Sequence, residues 1–420
     1  MFTLIPIAPG SRGVFTLLLF GISPLTHALT FDEALRLAQT QAPQLRASAE
    51  SVVAAKSTQI ASGELPDPKI ALGVDNYPIE GENRYSLTRD FMTMRRIGLM
   101  QEFPNQAKRE ARVAAARGQV ASAEAQAEIA RLVVLRETAV AWIARDTVER
   151  QLARIDALSA ENRLLAAAVR AQLAGGKAMA ADIVAPRQEA ALIEERSDEL
   201  RARREQAIAS LRRWIGAAAD APLQGTAPDL PITHDALAHR LHRHPELVAF
   251  DSRERVLDAE VAEAQAAKKP DWALELAYQQ RGQQFGDMVS LQVSFDLPLF
   301  SATRQDPKIA AKRAERAGLD AEREASLREH AAMLETDFAD YQRLTNAVKR
   351  QRDVLLPLAE EKTGLTMAAW RGGKGSLMDL ITARRERIET ELKAIALEGE
   401  RLQMAARLRY AYGDEMGEAK

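Results

Sequence analysis

The chain switches between two hydrophobic periods, and it runs through the same series twice. Residues 31 to 62 carry a helical pattern that Thr30 can cap, with Glu33 placed to return the bond and Pro43 dividing the stretch into two helices in series. Leu65-Pro66-Asp67-Pro68 ends that pattern. From Lys69 to Asn76 the period becomes two, with Ile70, Leu72 and Val74 on one face and Ala71, Gly73 and Asp75 on the other. After a turn-rich loop from Tyr77 to Asn83, alternation resumes with Ile97, Leu99 and Phe103 against Gly98, Met100 and Glu102. Residues 107 to 173 then lack proline and almost lack glycine, so one nearly continuous helix could run about 100 Å. Past Gly175-Gly176 a second helix is predicted from Met179 to Trp214, with Ile193, Leu200, Ala207 and Trp214 at coiled-coil spacing and Leu211 between them.

The second half repeats this order. Trp272, Leu274, Leu276 and Tyr278 alternate with Ala273, Glu275, Ala277 and Gln279; after Arg281 to Gln284, residues Val289, Leu291, Val293, Phe295 and Leu297 alternate with Ser290, Gln292, Ser294 and Asp296. Helices are predicted over 308–365 and 377–411, the last with Leu397, Met404, Leu408 and Ala411 on one stripe. Pro186 and Pro357 predict kinks or local breaks. Short motifs recur in the same order at an offset of roughly 200 residues, which marks a tandem duplication rather than a short-period solenoid. Ala174-Gly175-Gly176-Lys177 with Asp182 and Arg187 returns as Arg371-Gly372-Gly373-Lys374 with Asp379 and Arg384. Leu65-Pro66-Asp67 returns as Lys269-Pro270-Asp271, and Trp214-Ile215-Gly216 as Ala411-Tyr412-Gly413. The expected division is residues 29–222 and 223–420. Each repeat has a helix, two strands (about 69–76 and 97–103, then 271–279 and 289–297) and a helical hairpin (107–214, then 308–411).

An apolar face opposite a polar or small one, in segments of about nine residues, fits a transmembrane barrel strand with lipid outside and water inside. A soluble hairpin packed on a helical core has the same alternation; the repeat and the N-terminus favour the membrane. Four strands cannot close a barrel, because membrane barrels start at about eight. Open sheet edges in lipid would leave amides unpaired at several kcal/mol each. Several chains must then share one barrel, and three chains of four strands supply twelve around a threefold axis.

Residues 1–28 have the character of an export signal: Arg12, an apolar stretch from Val14 to Leu25, and the small residue Ala28 after Thr26-His27. No later segment is long and apolar enough for a spanning helix. The absence of cysteine removes disulfides, thiolate metal sites and a thiol nucleophile. A net charge of −2 points to no nucleic-acid surface. The chain has no Gly-x-Ser-x-Gly elbow, His-Glu-x-x-His motif or phosphate loop, so no enzyme is expected, and no cofactor. Its carboxylates interleave with arginines at helical spacing, as in Arg384-Arg385-Glu386-Arg387, and read as solvated faces of coiled coils.

From Leu29-Thr30-Phe31-Asp32-Glu33-Ala34-Leu35 to Tyr410-Ala411-Tyr412-Gly413, the chain resembles the TolC-like outer membrane efflux proteins, and the glycine-to-aspartate spacing at each hairpin tip is part of the match. The resemblance implies an α+β homotrimer: a 12-stranded β-barrel in the outer membrane, standing on a periplasmic barrel of α-helical hairpins. It implies a passive exit channel that works with a periplasmic adaptor and an inner-membrane RND transporter. Asp90 to Pro104 most resembles the heavy-metal branch, of the CzcC and CusC kind. Drug-efflux or type I secretion channels are the alternative within the class, and a periplasmic coiled-coil adaptor or scaffold is the alternative outside it.

The resemblance also assigns sites. Asp379 corresponds to an aspartate lining the narrow entrance, and Asp182 and Trp370 to positions that help latch it closed; a second aspartate and an arginine of the pattern are Thr382 and Gly375 here. A helix N-cap is the other role open to Asp379. Gly175, Gly176, Lys177, Gly372, Gly373 and Lys374 form the tips expected to meet the adaptor. Met92, Met94 and Met100 offer soft thioethers to Cu(I) or Ag(I), and equally suit ordinary gap filling. His234, His239, His242 and His244 cluster in sequence, either as a transition-metal site or as a solvated helix start.

Overall fold

The computed structural model describes residues 28–176 and 179–411. The export signal, apart from Ala28, lies outside them, as do Lys177 and the Tyr412-Gly413 pair. The first helix, α1 (Phe31–Gln41), starts where the Thr30 hydroxyl accepts the Glu33 N–H, and Pro43 opens α2 (Pro43–Ser62) at a position that needs no N–H partner. Two strands follow, β1 (Lys69–Asp75) and β2 (Met94–Phe103), the second starting three residues before the Ile97 at which alternation is evident. The long helix α3 (Gln106–Ala174) is unbroken over 69 residues, about 100 Å. A short 3-10 turn, Ala180–Ile183, then leads into α4 (Val184–Ile215).

The second half contains α5 (His234–Arg240), α6 (Pro245–Ala266), β3 (Trp272–Gln280), β4 (Met288–Phe295), α7 (Gln305–Arg350), α8 (Leu356–Arg371) and α9 (Leu377–Ala411). Between α7 and α8 the chain makes a π-helical turn, Gln351–Leu355. Pro357 sits just after it, and the widened turn accommodates the missing N–H, so the expected break is a π bulge in an otherwise continuous rod. Pro186 lies in the first turn of α4, just after the 3-10 turn, where the N–H that proline lacks would have had no helical acceptor.

All four strands form one antiparallel sheet in the order β1-β2-β3-β4. The pairing of β2 with β3, Leu99 opposite Leu276 and Phe103 opposite Trp272, joins the two halves. The main core lies far from the sheet, where α1, α3, α4, α7, α9 and the 223–237 connector converge. Trp142 and Ile143 of α3, Leu211 and Ile215 of α4, and Leu408 of α9 are almost fully buried there. Leu29 is buried in the same core, pairs in parallel with Leu223, and accepts the Trp142 indole N–H at 3.3 Å. The predicted α4 seam is buried at Ile193, Leu200, Ala207 and Trp214. On α9 the seam is rotated from the expected stripe: Leu408 is buried, but Leu397, Met404 and Ala411 are only half-buried, and Ile388, Leu392 and Leu402 form the inner face. This helix packs against both α3 and α7, so a single heptad stripe does not describe it.

Candidate functional site

Three regions carry the chemistry: the sheet, the hairpin tips and a histidine pair. The register sorts the sheet into two faces. One presents Ile70, Leu72, Ile97, Leu99, Leu274, Leu276, Leu291 and Val293, paired across the strands with Leu72 opposite Ile97 and Leu276 opposite Leu291. Most of these side chains are exposed; Leu72 and Leu291 are 76% and 68% accessible. At one margin of this face Phe103 stacks on Trp272 with ring centroids 4.1 Å apart, and Phe295 pairs with Trp272. The other face is polar or small. There Arg96 donates to Glu275 at 2.5 Å, Lys69 pairs with Glu102, and Gly98 leaves the space that Glu275 occupies: a Cβ at 98 would lie 2.6 Å from the Glu275 carboxylate. An apolar face with an aromatic margin, opposite a polar face, is suited to separate lipid from water. β1 and β4 are the outer strands of the sheet and leave its two edges open.

A second anchor ties the sheet to the helices. Asp271, at the foot of β3, accepts the Asn105 backbone and side-chain N–H groups at 2.7 and 2.8 Å and the Lys108 ammonium at 2.8 Å. Burial opposes its charge, but these donors outweigh burial and hold its carboxyl below the usual aspartate range.

At the opposite end the two hairpins share one small core. Leu165 and Val169 of α3 meet Leu377, Leu380 and Ile381 of α9, with Trp370 and Ile183 packed against them. In each tip only the second glycine is left-handed: Gly176 and Gly373 both have φ +68°, whereas Gly175 and Gly372 end their helices at φ −87° and −79°. The left-handed backbone that favours glycine is thus confined to Gly176 and Gly373. Ser376 takes the capping role considered for Asp379, its hydroxyl accepting the Asp379 N–H at 3.0 Å. The Asp379 carboxylate is exposed, in the first turn of α9, and has no hydrogen-bond or ion-pair partner among the described residues. Asp182 is engaged instead, accepting the Met179 N–H at 2.8 Å. A Cβ at Gly375 would sit 3.0 Å from the Ala369 Cβ, so a side chain there would need its neighbour to give way.

Behind the tips lies a set of ion pairs on helix faces that the charge pattern alone predicts to be solvated. Arg385 reaches Glu189 of α4 at 2.6 Å, Arg384 and Arg387 both reach Glu161 of α3, at 3.2 and 2.8 Å, and Arg154 pairs with Glu391. Arg384 is buried. The signal for it was present: Ile381 and Ile388 lie one turn to either side, on the same helix face.

The methionines are not gathered. Met92 precedes β2 in a bend, and Met94 and Met100 stand six residues apart on the polar face, about 20 Å along the strand. Met94 and Met100 therefore cannot share one ion within a chain.

The sequence cluster of histidines also separates. His234 contacts Glu335 at 2.8 Å, and His239 contacts the Asp235 carbonyl. His244 is buried at the start of α6 and stacks on His330 of α7, with centroids 4.0 Å apart. Burial, then His330 and the Arg136 guanidinium, push the His244 pKa down to about 4.

No protein-family model matches this sequence, and no curated protein matches it by sequence. Solved structures do match in fold. A membrane protein from Pseudomonas aeruginosa superposes with a TM-score of 0.77 at 19% identity, covering 91% of this chain and 93% of that one. The outer membrane protein VceC from Vibrio cholerae gives 0.75 at 18% identity, covering 91% and 96%. CusC, whose structures concern folding and transmembrane channel formation, gives 0.75 at 15% identity, covering 91% and 92%. The chain has an outer-membrane channel fold. No helix among the described residues is long and apolar enough to cross a membrane.

Proposed function

We propose that this chain is a TolC-like outer-membrane channel, the exit duct of a tripartite efflux pump. The observation that carries the reading is the sheet: two chemically distinct faces and two open edges, on helices about 100 Å long. Lipid covers the apolar face, and copies of the chain close the edges, three chains giving a 12-stranded barrel. The helices cross the periplasm, with their tips toward an adaptor and an inner-membrane RND transporter. Asp379, repeated by the threefold axis, rings the entrance. The first 28 residues direct export.

Heavy-metal cations are the proposed cargo. That assignment rests on the resemblance of Asp90 to Pro104 to the metal-efflux branch, and a conduit that must release its cargo needs no tight site. Fractionation followed by electrophoresis with and without boiling tests the channel reading. A heat-modifiable oligomer in the outer membrane is expected, and a soluble periplasmic monomer would refute it. Zinc, cobalt, cadmium and copper sensitivity of a deletion strain tests the cargo. Unchanged metal tolerance with raised drug sensitivity would replace metals by drugs.

A further inference from the structure

We propose that His244, Glu246 and His330 bind a divalent transition-metal ion of the zinc class, which clips the start of α6 to the middle of α7. A ring nitrogen from each histidine and a carboxylate oxygen of Glu246 all lie within 4.8 Å of one another. Two imidazoles and one carboxylate are a donor set that zinc takes readily, with a fourth position left for water. Nitrogen-rich donors favour zinc, nickel, cobalt or copper over calcium and magnesium. The residues come from two helices far apart in sequence, so an ion here would cross-link the fold. Ligands at zinc distances of about 2.0–2.1 Å sit roughly 3.3 Å from one another in a tetrahedron. His330 and Glu246 are already near that spacing, at 3.1 Å, and the exposed Glu246 side chain is free to adjust as His244 joins them.

The contacts already present suit this role. His330 Nε2 lies 3.1 Å from the Glu246 carboxylate, which orients the ring and supplies negative charge. His244 Nδ1 accepts the Glu246 N–H at 3.3 Å, a long bond that an ion could displace. Burial keeps His244 neutral near pH 7, so no proton need leave it. Access runs past Glu246, whose side chain is half-exposed. Arg136 of α3 faces His244 and opposes a cation, but it is paired with Glu137 at 3.0 Å. The site lies away from both the sheet and the tips, and it does not depend on what the channel carries.

The test uses the full mature chain without a histidine tag, purified in detergent, stripped with chelator and titrated with zinc chloride at pH 7.5. Calorimetry and metal analysis after dialysis should give one zinc per chain. His330→Gln and Glu246→Gln should each weaken binding at least tenfold, whereas His239→Gln should leave it unchanged. Cobalt added to the unmutated protein should give a visible absorption band that His330→Gln removes. Glu246 is exposed, so its variant should keep the oligomer and the helical circular dichroism even if His330→Gln does not. Absence of zinc from the unmutated protein, or unchanged affinity in both ligand variants, would overturn the site.

Discussion

Replacing Leu291 with lysine tests the lipid face most directly. Leu291 is the fourth residue of β4 and stands opposite Leu276, the middle residue of β3. Strands of eight to ten residues are about 26–33 Å long. Tilted as in known barrels they span a hydrophobic band of roughly 25 Å, which puts Leu291 near its middle. A lysine at that depth costs about 2–4 kcal/mol. With one copy in each chain of the proposed trimer, and sites far enough apart to add, the assembly would lose roughly 6–12 kcal/mol. Gln292→Lys is the control. It lies one residue on, on the opposite face, and pairs with Glu275, so a lysine there meets water and a carboxylate. Denaturant titration in liposomes, followed by heat-modifiability on gels, should show a large loss for Leu291→Lys and little change for Gln292→Lys. Equal effects from both, or none from Leu291→Lys, would refute the assignment of faces.

Three further outcomes are expected. Gly373→Ala should cost about 1–2 kcal/mol for its left-handed backbone and impair efflux while the oligomer persists, whereas Gly372→Ala should do much less; thermal melts and efflux assays of the pair compare them. Asp379→Asn should lower cation preference in bilayer conductance without destabilising the assembly, and unchanged selectivity would place the entrance charge elsewhere. Acid stability should respond in opposite senses at two aspartates. Asp271, held below its usual pKa, stabilises the fold above about pH 4 and loses that contribution as the pH falls through its folded value, so Asp271→Asn should weaken the protein at pH 7 and flatten the acid limb. Asp146 is raised by burial, against the pull of Arg150, so stability falls as the pH climbs from the ordinary aspartate value through its raised folded value, and the full cost of the ionised form is present above it. Asp146→Asn should therefore raise stability at pH 7 and have little effect in acid, as denaturant titrations at both pH values would show.

The sheet and the long helices were legible because their signals are local. Ile70, Leu72 and Val74 share a face through alternation alone, and nothing stops a helix between Asn105 and Gly175. The outer-membrane channel fold expected from the whole-chain resemblance is the one the solved structures share. What escaped reading was pairing across distance. His330 is isolated in sequence and acquires a partner only when α7 packs on α6. Arg384 looked like one charge in a solvated run, yet its i−3 and i+4 neighbours, Ile381 and Ile388, turn it inward. Pro186 predicts a kink or local break, and the structure puts a 3-10 turn just before it and Pro186 itself in the first turn of α4, a helix start that the local pattern does not fix.

The distribution of burial within one chain bears on how the proposed oligomer closes. Helix α3 has a long series of buried side chains and serves as the spine of the fold. Helix α7, at 46 residues, buries only Ile309, Leu319, Leu334 and Leu344, and α8 buries nothing. Leu355, Leu358 and Leu365 instead project outward along the bulged rod. Such a helix gains little from its own chain, since most helical stability comes from packing an apolar face. The sheet has the same asymmetry, with β1 at one edge and β4 at the other. A neighbouring copy that set its first-repeat side against α7 and α8 would bring its β1 edge toward β4. One head-to-tail rotation would then cover the apolar helix face and complete the strand ladder together. Lipid-exposed edges and an uncovered helix are costs that the same contact removes, so barrel closure and helix packing should be lost together in any variant that breaks either one.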